Sequence, residues 1–332
     1  MKKGNLATQL EKWFAVVKRP MPWRSKPSPY VCWLSEIMMQ QTTYAAVLPY
    51  YERFLKRFPT VEKLAAADES EVLKVWEGLG YYARARNLLK AAKVIVQSAS
   101  IGGGLRPHWP MTATEWATLP GVGPYTAAAL SSVLNGERTP VVDGNVARVF
   151  ARVWMLKDDF SKLPARERLA ERLRPEIERC RVPGDFNQAM MELGATVCTP
   201  KSPDCAKCPL ASICAAHRNG SWADFPVRPT RKTLPVRQMK AVVVMDGKGR
   251  VLLVQNREGG LLKGLWELPS VEDSASLSQT FSHFRLELET VRVMRTDARF
   301  VDPAKVPLTT ATRKALAALR AADGKPDATA ST

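Results

Sequence analysis

Residues 119–126 have the sequence Leu-Pro-Gly-Val-Gly-Pro-Tyr-Thr and join two stretches with helical patterns, 112–118 and 124–135. Gly121 and Gly123 allow a tight turn, which leaves backbone N–H groups exposed at the start of the second helix. A helix start of this kind binds a phosphate without reading the base sequence. The segment therefore predicts a helical hairpin that grips a nucleic-acid backbone, although an ordinary glycine-rich helix connection also fits.

The residues around this hairpin predict a helical body over 1–220. Leu6, Leu10, Trp13 and Val17 recur on one face of an N-terminal helix. The prolines between 20 and 29 interrupt that pattern, and the spacing of Thr112 and Glu115 predicts a capping box. Further helical patterns lie at 30–41, 42–57, 60–66, 69–77, 81–99, 144–156, 164–180, 185–197 and 208–217.

The composition changes after residue 220. A stiff, basic, proline-containing linker is predicted at 221–236, followed by a small α+β domain at 237–322. The turn sequence Asp246-Gly-Lys-Gly predicts a hairpin. Strands are predicted at 241–245, 251–254, 264–269, 283–289 and 291–295, a helix at 309–321, and a disordered tail at 323–332.

Charge and composition narrow the functional classes. The chain has 332 residues, 45% of them hydrophobic, and a formal net charge of +17, which suits a globular protein with a polyanionic partner. Nucleic acid is the first expectation and an acidic membrane surface the second, while a generally basic, solvated protein remains an alternative. No apolar run is long enough to span a bilayer, and the first residues lack the apolar core of a secretory signal. We therefore expect a reducing, cytoplasmic location.

Four of the six cysteines lie close together, in the pattern Cys198-x6-Cys205-x2-Cys208-x5-Cys214. Four thiolates in so short a segment can close one metal site. A structural zinc is one interpretation, but zinc modules usually bring two C-x2-C pairs, and only one is present. Cys32 and Cys180 lie outside this pattern and are expected to be buried apolar residues.

Two carboxylates are candidates for catalysis. Glu36 lies in the helical stretch Val31-Cys-Trp-Leu-Ser-Glu-Ile-Met-Met-Gln40, where an ionised side chain is costly unless it is paired or protonated. Burial would raise its pKa toward neutrality, as a general acid requires. An exposed glutamate on a polar helix edge is the alternative. Asp143 precedes an apolar helical stretch, so helix capping alone would also explain it.

Six motifs in order resemble the adenine DNA glycosylase (MutY) family of the endonuclease III superfamily, over about residues 6–217. They are Pro22-Trp-Arg24, Ser35 to Thr42, Gly78 to Tyr82, Gly121 to Tyr125, Val142 to Val146, and Phe186 to Gly194. The cysteine spacing resembles the [4Fe-4S] loop of this superfamily. The resemblance implies a helix-hairpin-helix body, with a six-helix barrel at about 23–135 and an iron–sulfur domain formed by 1–22 and 136–220.

The resemblance also implies a reaction and its residues. Adenine opposite 8-oxoguanine or guanine would be excised by hydrolysis, with Glu36 protonating adenine at N7 and Asp143 stabilising or trapping the sugar cation. Tyr125 and Asn145 would assist Asp143. The residues implied to contact substrate are Trp23, Arg24, Gln41 and Gln188 around a flipped adenine, Met39 and Tyr81 as wedges in the duplex, and Gly121 and Gly123 at the hairpin.

One departure selects among the reaction types of the superfamily. Lyase members have a lysine after the hairpin that attacks the sugar, whereas this chain has Tyr125 at that position. The resemblance therefore implies a monofunctional enzyme of base excision repair. It is expected to act as a monomer on double-stranded DNA, without a membrane, in a bacterial cytoplasm near the nucleoid. A bifunctional glycosylase/lyase acting on oxidised pyrimidines and a non-enzymatic iron–sulfur DNA-binding protein are the alternatives.

Residues 237–322 resemble the Nudix-like domain of the same family. The matching segments are Gly259 to Pro269 and Phe281-Ser282-His283, and the second implies the loop that recognises 8-oxoguanine. The clustered glutamates that a working Nudix hydrolase needs for its metal are missing, so pyrophosphate hydrolysis is not expected. Only residues 270–280 separate the two segments, so this domain is abbreviated.

Overall fold

The chain is helical from residue 6, as its periodicity predicts. A computed structural model describes residues 6–101, 107–227, 241–257, 260, 262–269, 271–280, 285–293 and 298–322. The helices in its first part are α1 (Leu6–Val17), α2 (Pro22–Ser25), α3 (Pro29–Met39), α4 (Tyr44–Arg57), α5 (Val61–Ala65), α6 (Glu69–Trp76), α7 (Ala83–Ile101), α8 (Ala113–Ala117), α9 (Pro124–Asn135), α10 (Gly144–Trp154), α11 (Leu163–Arg179), α12 (Pro183–Thr196) and α13 (Ala215–Arg218).

The chain forms two compact units. The first comprises Met1–Gln41 and Val94–Lys232, and the second comprises Thr42–Lys93 and Thr233–Thr332. The finer division of the helical body into a six-helix barrel and an iron–sulfur domain stays a prediction.

The core of the first unit lies among α1, α10, α11 and α12. Leu10, Phe14, Phe150 and Phe186 are each at most 1% exposed there. The predicted α1 stripe is wrong at its C-terminal end, because Val17 is exposed and the buried face continues from Leu10 to Phe14 instead. Positions four apart share a helix face, and Phe14 rather than Val17 continues the Leu6–Leu10 row.

Most predicted helix boundaries agree within a few residues, and the local signals explain why. Pro22 and Pro29 occupy first-turn positions of α2 and α3, where a missing N–H costs nothing. The Thr112 capping box is present, with the Glu115 N–H donating to Thr112 Oγ1 at 3.2 Å. The helix predicted at 208–217 is wrong. A series of tight turns precedes α13, with Ala211 N–H bonded to Cys208 O and Ile213 N–H to Leu210 O.

The second unit contains the C-terminal α+β part. Its strands are β1 (Val251–Gln255), β2 (Trp266–Glu267), β3 (Val271–Thr280), β4 (Arg285–Val293) and β5 (Arg299–Val301), followed by α14 (Thr310–Ala322). An antiparallel sheet has the order β2–β1–β5, and β3 pairs with β4 in a separate antiparallel ribbon. Val251, Leu253, Trp266 and Leu316 form the core beside the three-stranded sheet.

The strand predictions need three corrections. Residues 241–245 form only a bridge from Met245 to Val251, although the predicted turn is present and the Asp246 side chain accepts from the N–H groups of Lys248 and Arg250. The strand predicted at 264–269 is only the two residues of β2. The strands predicted at 283–289 and 291–295 are one strand, β4, because its partner β3 runs the length of 271–280 and pairs along both.

The predicted fold class, mainly α with a small α+β part near the C-terminus, is confirmed by these elements. Phe281, Ser282 and His283 lie outside the described residues, as do most of the predicted linker and the tail at 323–332. In the described part of the chain, every helix is too short or too polar to cross a bilayer.

Candidate active site and cysteine pocket

Glu36 is positioned by α3, whose other faces are almost entirely buried. Ser28 caps the helix by accepting from Val31 N–H, and Trp33, Leu34, Ile37 and Met38 are each at most 2% exposed. Glu36 itself is half-buried. The helix core therefore fixes a carboxyl group at the edge of an apolar surface, as the sequence predicts.

Asp143 is both the N-cap of α10 and part of a hydrogen-bonded chain. Its Oδ1 accepts from Val146 N–H at 2.7 Å, and its Oδ2 accepts from Asn145 Nδ2 at 2.8 Å. Asn145 Oδ1 in turn accepts from Arg148, which also donates to the Cys198 carbonyl at 2.9 Å. The predicted cap is present, and hydrogen bonds connect this carboxylate to the first residue of the cysteine segment.

Glu36, Asp143 and Tyr125 lie within electrostatic reach of one another. Burial, followed by the negative charge of Asp143, raises the pKa of Glu36 from 4.5 to about 7, while Arg24 opposes the shift. Burial also raises the pKa of Asp143, against its hydrogen bonds from Val146 and Asn145. The pKa of Tyr125 lies well above 10, through burial and both carboxylates. The Tyr125 hydroxyl donates to Met191 Sδ at 3.1 Å. This hydrogen bond does not involve Asp143, so it does not account for the predicted assistance of Tyr125 to that carboxylate.

Arg24 is held beside these groups by α12. Its Nε donates to Gln188 Oε1 at 2.8 Å and its Nη2 to Glu192 Oε2 at 3.1 Å. Glu192 is 2% exposed and also pairs with Arg19. The structure thus brings Arg24 and Gln188 together as predicted, and Trp23 is buried next to them in the chain.

The hairpin between α8 and α9 forms as predicted, but its two glycines differ. Gly121 has φ +81°, a conformation that favours glycine, whereas Gly123 has φ −86° as the N-cap of α9 and needs no special freedom. Gln40 donates to Gly121 O at 3.4 Å and to Thr126 Oγ1 at 3.1 Å. The end of α3 is thereby tied to the hairpin.

Two residues predicted to contact DNA have strained backbones. Gln41, in the first unit, has φ +57°, and Tyr81, in the second, has φ +49° with its side chain 59% exposed. Non-glycine residues in this region are uncommon and concentrate at functional sites. Within the second unit, the Arg84 guanidinium lies 5.4 Å from the Tyr81 ring centroid. Met39 is the last residue of α3 and is partly buried.

The four clustered cysteines line one pocket. Cys198, Cys205, Cys208 and Cys214 all line it, together with Arg152, and it is partly open to solvent. Burial, with the negative charges of the other three, raises the pKa of Cys208 to about 12. Among the described residues, no three His, Cys, Asp or Glu side chains converge closely enough to hold a single metal ion. As predicted, Cys32 and Cys180 are buried and separate from this pocket.

Several site residues were missed at the sequence level. Arg148 and Arg152 follow Asn145 on α10, and the helical spacing of Arg148 from Asn145 was a usable signal. Met191 and Glu192 lie inside the motif Phe186 to Gly194, but no local pattern indicates their contacts, because the partners lie far away along the chain. Gly194 is explained only by packing, since a Cβ there would lie 2.6 Å from Asn145 Cβ.

The fold and this site define a class of protein. Residues 34–175 match the family described as HhH-GPD superfamily base excision DNA repair protein. A solved thermostable thymine-DNA glycosylase superposes with a TM-score of 0.56 at 26% identity, covering 64% of this chain and 95% of that one. The helix-hairpin-helix glycosylase fold is therefore confirmed.

Similar proteins with established names narrow the assignment from the superfamily to one family. The chain is 38% identical to the adenine DNA glycosylase of Homo sapiens, over 78% of this chain and 56% of that protein. It is 31% identical to that of Buchnera aphidicola subsp. Schizaphis graminum, over 77% of this chain and 71% of the relative. The chain belongs to the adenine DNA glycosylase family, as the sequence motifs predict. It spans little more than half the length of the human relative.

Proposed function

We propose that this chain is an adenine-specific DNA N-glycosylase of base excision repair. One observation carries the proposal: two carboxyl groups of different environment, Glu36 and Asp143, are brought into electrostatic contact. The pKa of Glu36 is about 7, so a substantial share of the molecules carry the proton near neutral pH. Asp143 accepts two hydrogen bonds that favour its ionised form. A protonated acid beside a carboxylate is the pair that glycosidic cleavage requires.

Glu36 is assigned as the general acid. It protonates adenine at N7, which makes the base a better leaving group as the glycosidic bond breaks. Asp143 stabilises the cationic deoxyribose or traps it covalently, and Asn145 holds the carboxylate in place through its 2.8 Å hydrogen bond. A water molecule then completes hydrolysis, giving free adenine and an abasic site.

Hydrolysis without strand cleavage follows from the residue after the hairpin. A lyase reaction needs an amine that attacks the sugar, whereas this position carries the phenol of Tyr125. Burial and the two carboxylates hold the pKa of Tyr125 well above 10, so the phenol stays protonated and is a weak nucleophile.

Substrate binding is assigned to groups around the two carboxyls. Trp23, Arg24, Gln41 and Gln188 contact a flipped adenine, which must leave the stack to react. The exposed Tyr81 and the end of α3 at Met39 act as wedges, and the hairpin at Gly121 and Gly123 binds phosphate. The substrate is double-stranded DNA with adenine opposite 8-oxoguanine or guanine, and Phe281, Ser282 and His283 recognise the oxidised base.

A [4Fe-4S] cluster is assigned to the cysteine pocket. Four cysteines that line one pocket provide the thiolate ligand set of an iron–sulfur cluster. Cys198, Cys205, Cys208 and Cys214 would hold the cluster, which would then fix residues 198–214. Thiol ligands also favour a reducing compartment. We place the monomeric chain in a bacterial cytoplasm, at the nucleoid.

One assay tests this function against its alternatives. A duplex with a single adenine opposite 8-oxoguanine is incubated with purified protein, and strands are analysed with and without alkali. Breaks at that adenine that require alkali support the proposal. Breaks without alkali would instead indicate a lyase, and tight binding without any product would indicate a non-enzymatic DNA-binding protein. The same duplex with adenine opposite thymine is the substrate control.

A further inference from the structure

Arg152 is a buried charge without a carboxylate partner. Arg152 lies on α10 and is 2% exposed. Within the described part of the chain, its N–H groups donate only to neutral oxygens and one sulfur. Nε donates to the carbonyls of Trp222 and Phe225, both at 3.0 Å. Nη1 donates to Thr199 O at 2.8 Å and Nη2 to Pro200 O at 3.2 Å.

Two further contacts of Arg152 are with the Trp222 ring, whose centroid lies 5.3 Å from the guanidinium, and with a cysteine sulfur. Arg152 Nη1 lies 3.3 Å from Cys198 Sγ, and Arg152 lines the pocket together with all four cysteines. Burying a cation is unfavourable unless an opposite charge compensates it. Backbone carbonyls offer only partial charges. Asp204 also lines the pocket, but its carboxylate pairs with Lys207 at 2.9 Å. Thiolates that ligate a metal cluster carry full negative charge, and Cys198 is the one that Arg152 contacts directly.

We propose that Arg152 is the buried counter-charge of the iron–sulfur cluster, raising its reduction potential and securing its retention. The inference rests on the cofactor assigned under the proposed function. A nearby positive charge favours the more negative, reduced state of a cluster, and hydrogen bonds to sulfur act in the same direction. Arg152 is therefore a positioning and tuning residue.

A second arginine, which is exposed where Arg152 is buried, serves as a control for the loss of hydrogen bonds to carbonyls. Arg138 Nη1 also donates to three carbonyls, those of Ile177, Glu178 and Cys180, and lies 3.8 Å from Cys180 Sγ. Cys180 does not line the cysteine pocket. Replacing Arg138 thus removes a comparable structural contact without changing the charge beside the cluster.

The test compares wild type, Arg152→Gln, Arg152→Lys and Arg138→Gln as full-length, cluster-loaded proteins. Reduction potential is measured by protein-film voltammetry, and iron release by a chelator is followed through loss of cluster absorbance. We expect a more negative potential for Arg152→Gln and iron release at least about tenfold faster, since groups hydrogen-bonded to metal ligands commonly contribute 10- to 100-fold to metal affinity. Arg152→Lys and Arg138→Gln should stay near wild type in potential.

Each outcome separates this inference from the cofactor assignment. Wild-type protein without iron would refute the cofactor itself. A cluster-bearing wild type with an unchanged potential in Arg152→Gln would overturn only the role of Arg152. If Arg152→Gln cannot retain its cluster, retention by Arg152→Lys supports the charge, and loss from both variants shows that the shape of the guanidinium matters instead and overturns the proposal.

Discussion

The raised pKa of Glu36 makes the stability of the fold depend on pH. Its pKa is 4.5 ordinarily and about 7 in the folded chain, so folding favours the protonated form. The protonated Glu36 side chain therefore contributes to stability fully below pH 4.5, and this contribution is lost as pH rises through 7. An active site that keeps an acid protonated near neutrality therefore destabilises the fold in alkaline buffer.

The Glu36→Gln variant tests this linkage. Gln cannot ionise. The free energy of unfolding of Glu36→Gln, relative to that of wild type, should therefore rise between pH 4 and pH 8, by up to about 3 kcal/mol. Denaturant unfolding of both proteins across that range measures the difference. A stability difference that is independent of pH would show that Glu36 has an ordinary pKa. Glu171→Gln is the control, because Arg174 holds the pKa of this exposed carboxyl below its usual value, so the stability of this variant relative to wild type should not rise with pH.

Asp143 allows capping and catalysis to be separated. Asp143→Asn keeps an oxygen that can accept from Val146 N–H, whereas Asp143→Ala removes it at a cost of about 1 kcal/mol. We expect Asp143→Asn to unfold near the wild-type denaturant midpoint and yet to lose adenine excision. Near-wild-type excision by Asp143→Asn would contradict the role assigned to this carboxylate.

The sequence predicts these two residues for different reasons. Glu36 is conspicuous in the sequence because most of its neighbours in that stretch are apolar, and Asp143 because it precedes an apolar helical stretch. The groups that orient them are not predictable in the same way. Arg24 depends on Glu192, 168 positions away, and only the folded chain makes that pair visible.

At the level of elements, the hairpin is the feature that the sequence predicts best. The expected need for glycine holds for Gly121 but not for Gly123. Gly121→Ala places a side chain at φ +81° and should cost about 1–2 kcal/mol of stability. Gly123→Ala is the control, because its φ is −86° and a Cβ there has nothing within 4 Å. Thermal unfolding of both variants measures the loss of stability relative to wild type. An equal loss in the two variants would mean that Gly121 is not held in the left-handed conformation.

The cysteine segment shows the opposite case. Its periodicity predicted a helix at 208–217, and the chain instead makes successive tight turns before α13. The side chains of this segment divide between two surroundings, since Cys208, Ala211 and Cys214 line the pocket while Leu210 and Ala216 are buried in the core of the first unit. Contacts of Arg148 and Arg152 with Cys198 and Thr199 then fix the segment against α10.

At the level of the whole molecule, the net charge of +17 predicts strongly salt-dependent DNA binding. If six to ten phosphates are neutralised, affinity should fall by about 10³- to 10⁵-fold between 50 and 200 mM salt. Fluorescence anisotropy with a labelled duplex, at several salt concentrations, measures the slope. Binding that barely changes with salt would contradict phosphate contacts as the main source of affinity.

The grouping of segments into units was not predictable from sequence. Residues 42–93 belong with the C-terminal part, where Lys74 donates to the carbonyls of Pro303 and Val306. The basic, proline-containing segment after residue 220 indicates a boundary by composition. Pairing between segments so far apart depends on contacts that leave no local pattern.

The most direct measurement is single-turnover release of adenine from a duplex with adenine opposite 8-oxoguanine, by wild type and by Glu36→Gln. Both proteins are first shown to bind the duplex with similar affinity. We predict that wild type releases adenine, more slowly as pH rises through 7, and that Glu36→Gln releases none. Adenine release by Glu36→Gln at the wild-type rate would contradict the assignment of Glu36 as the general acid.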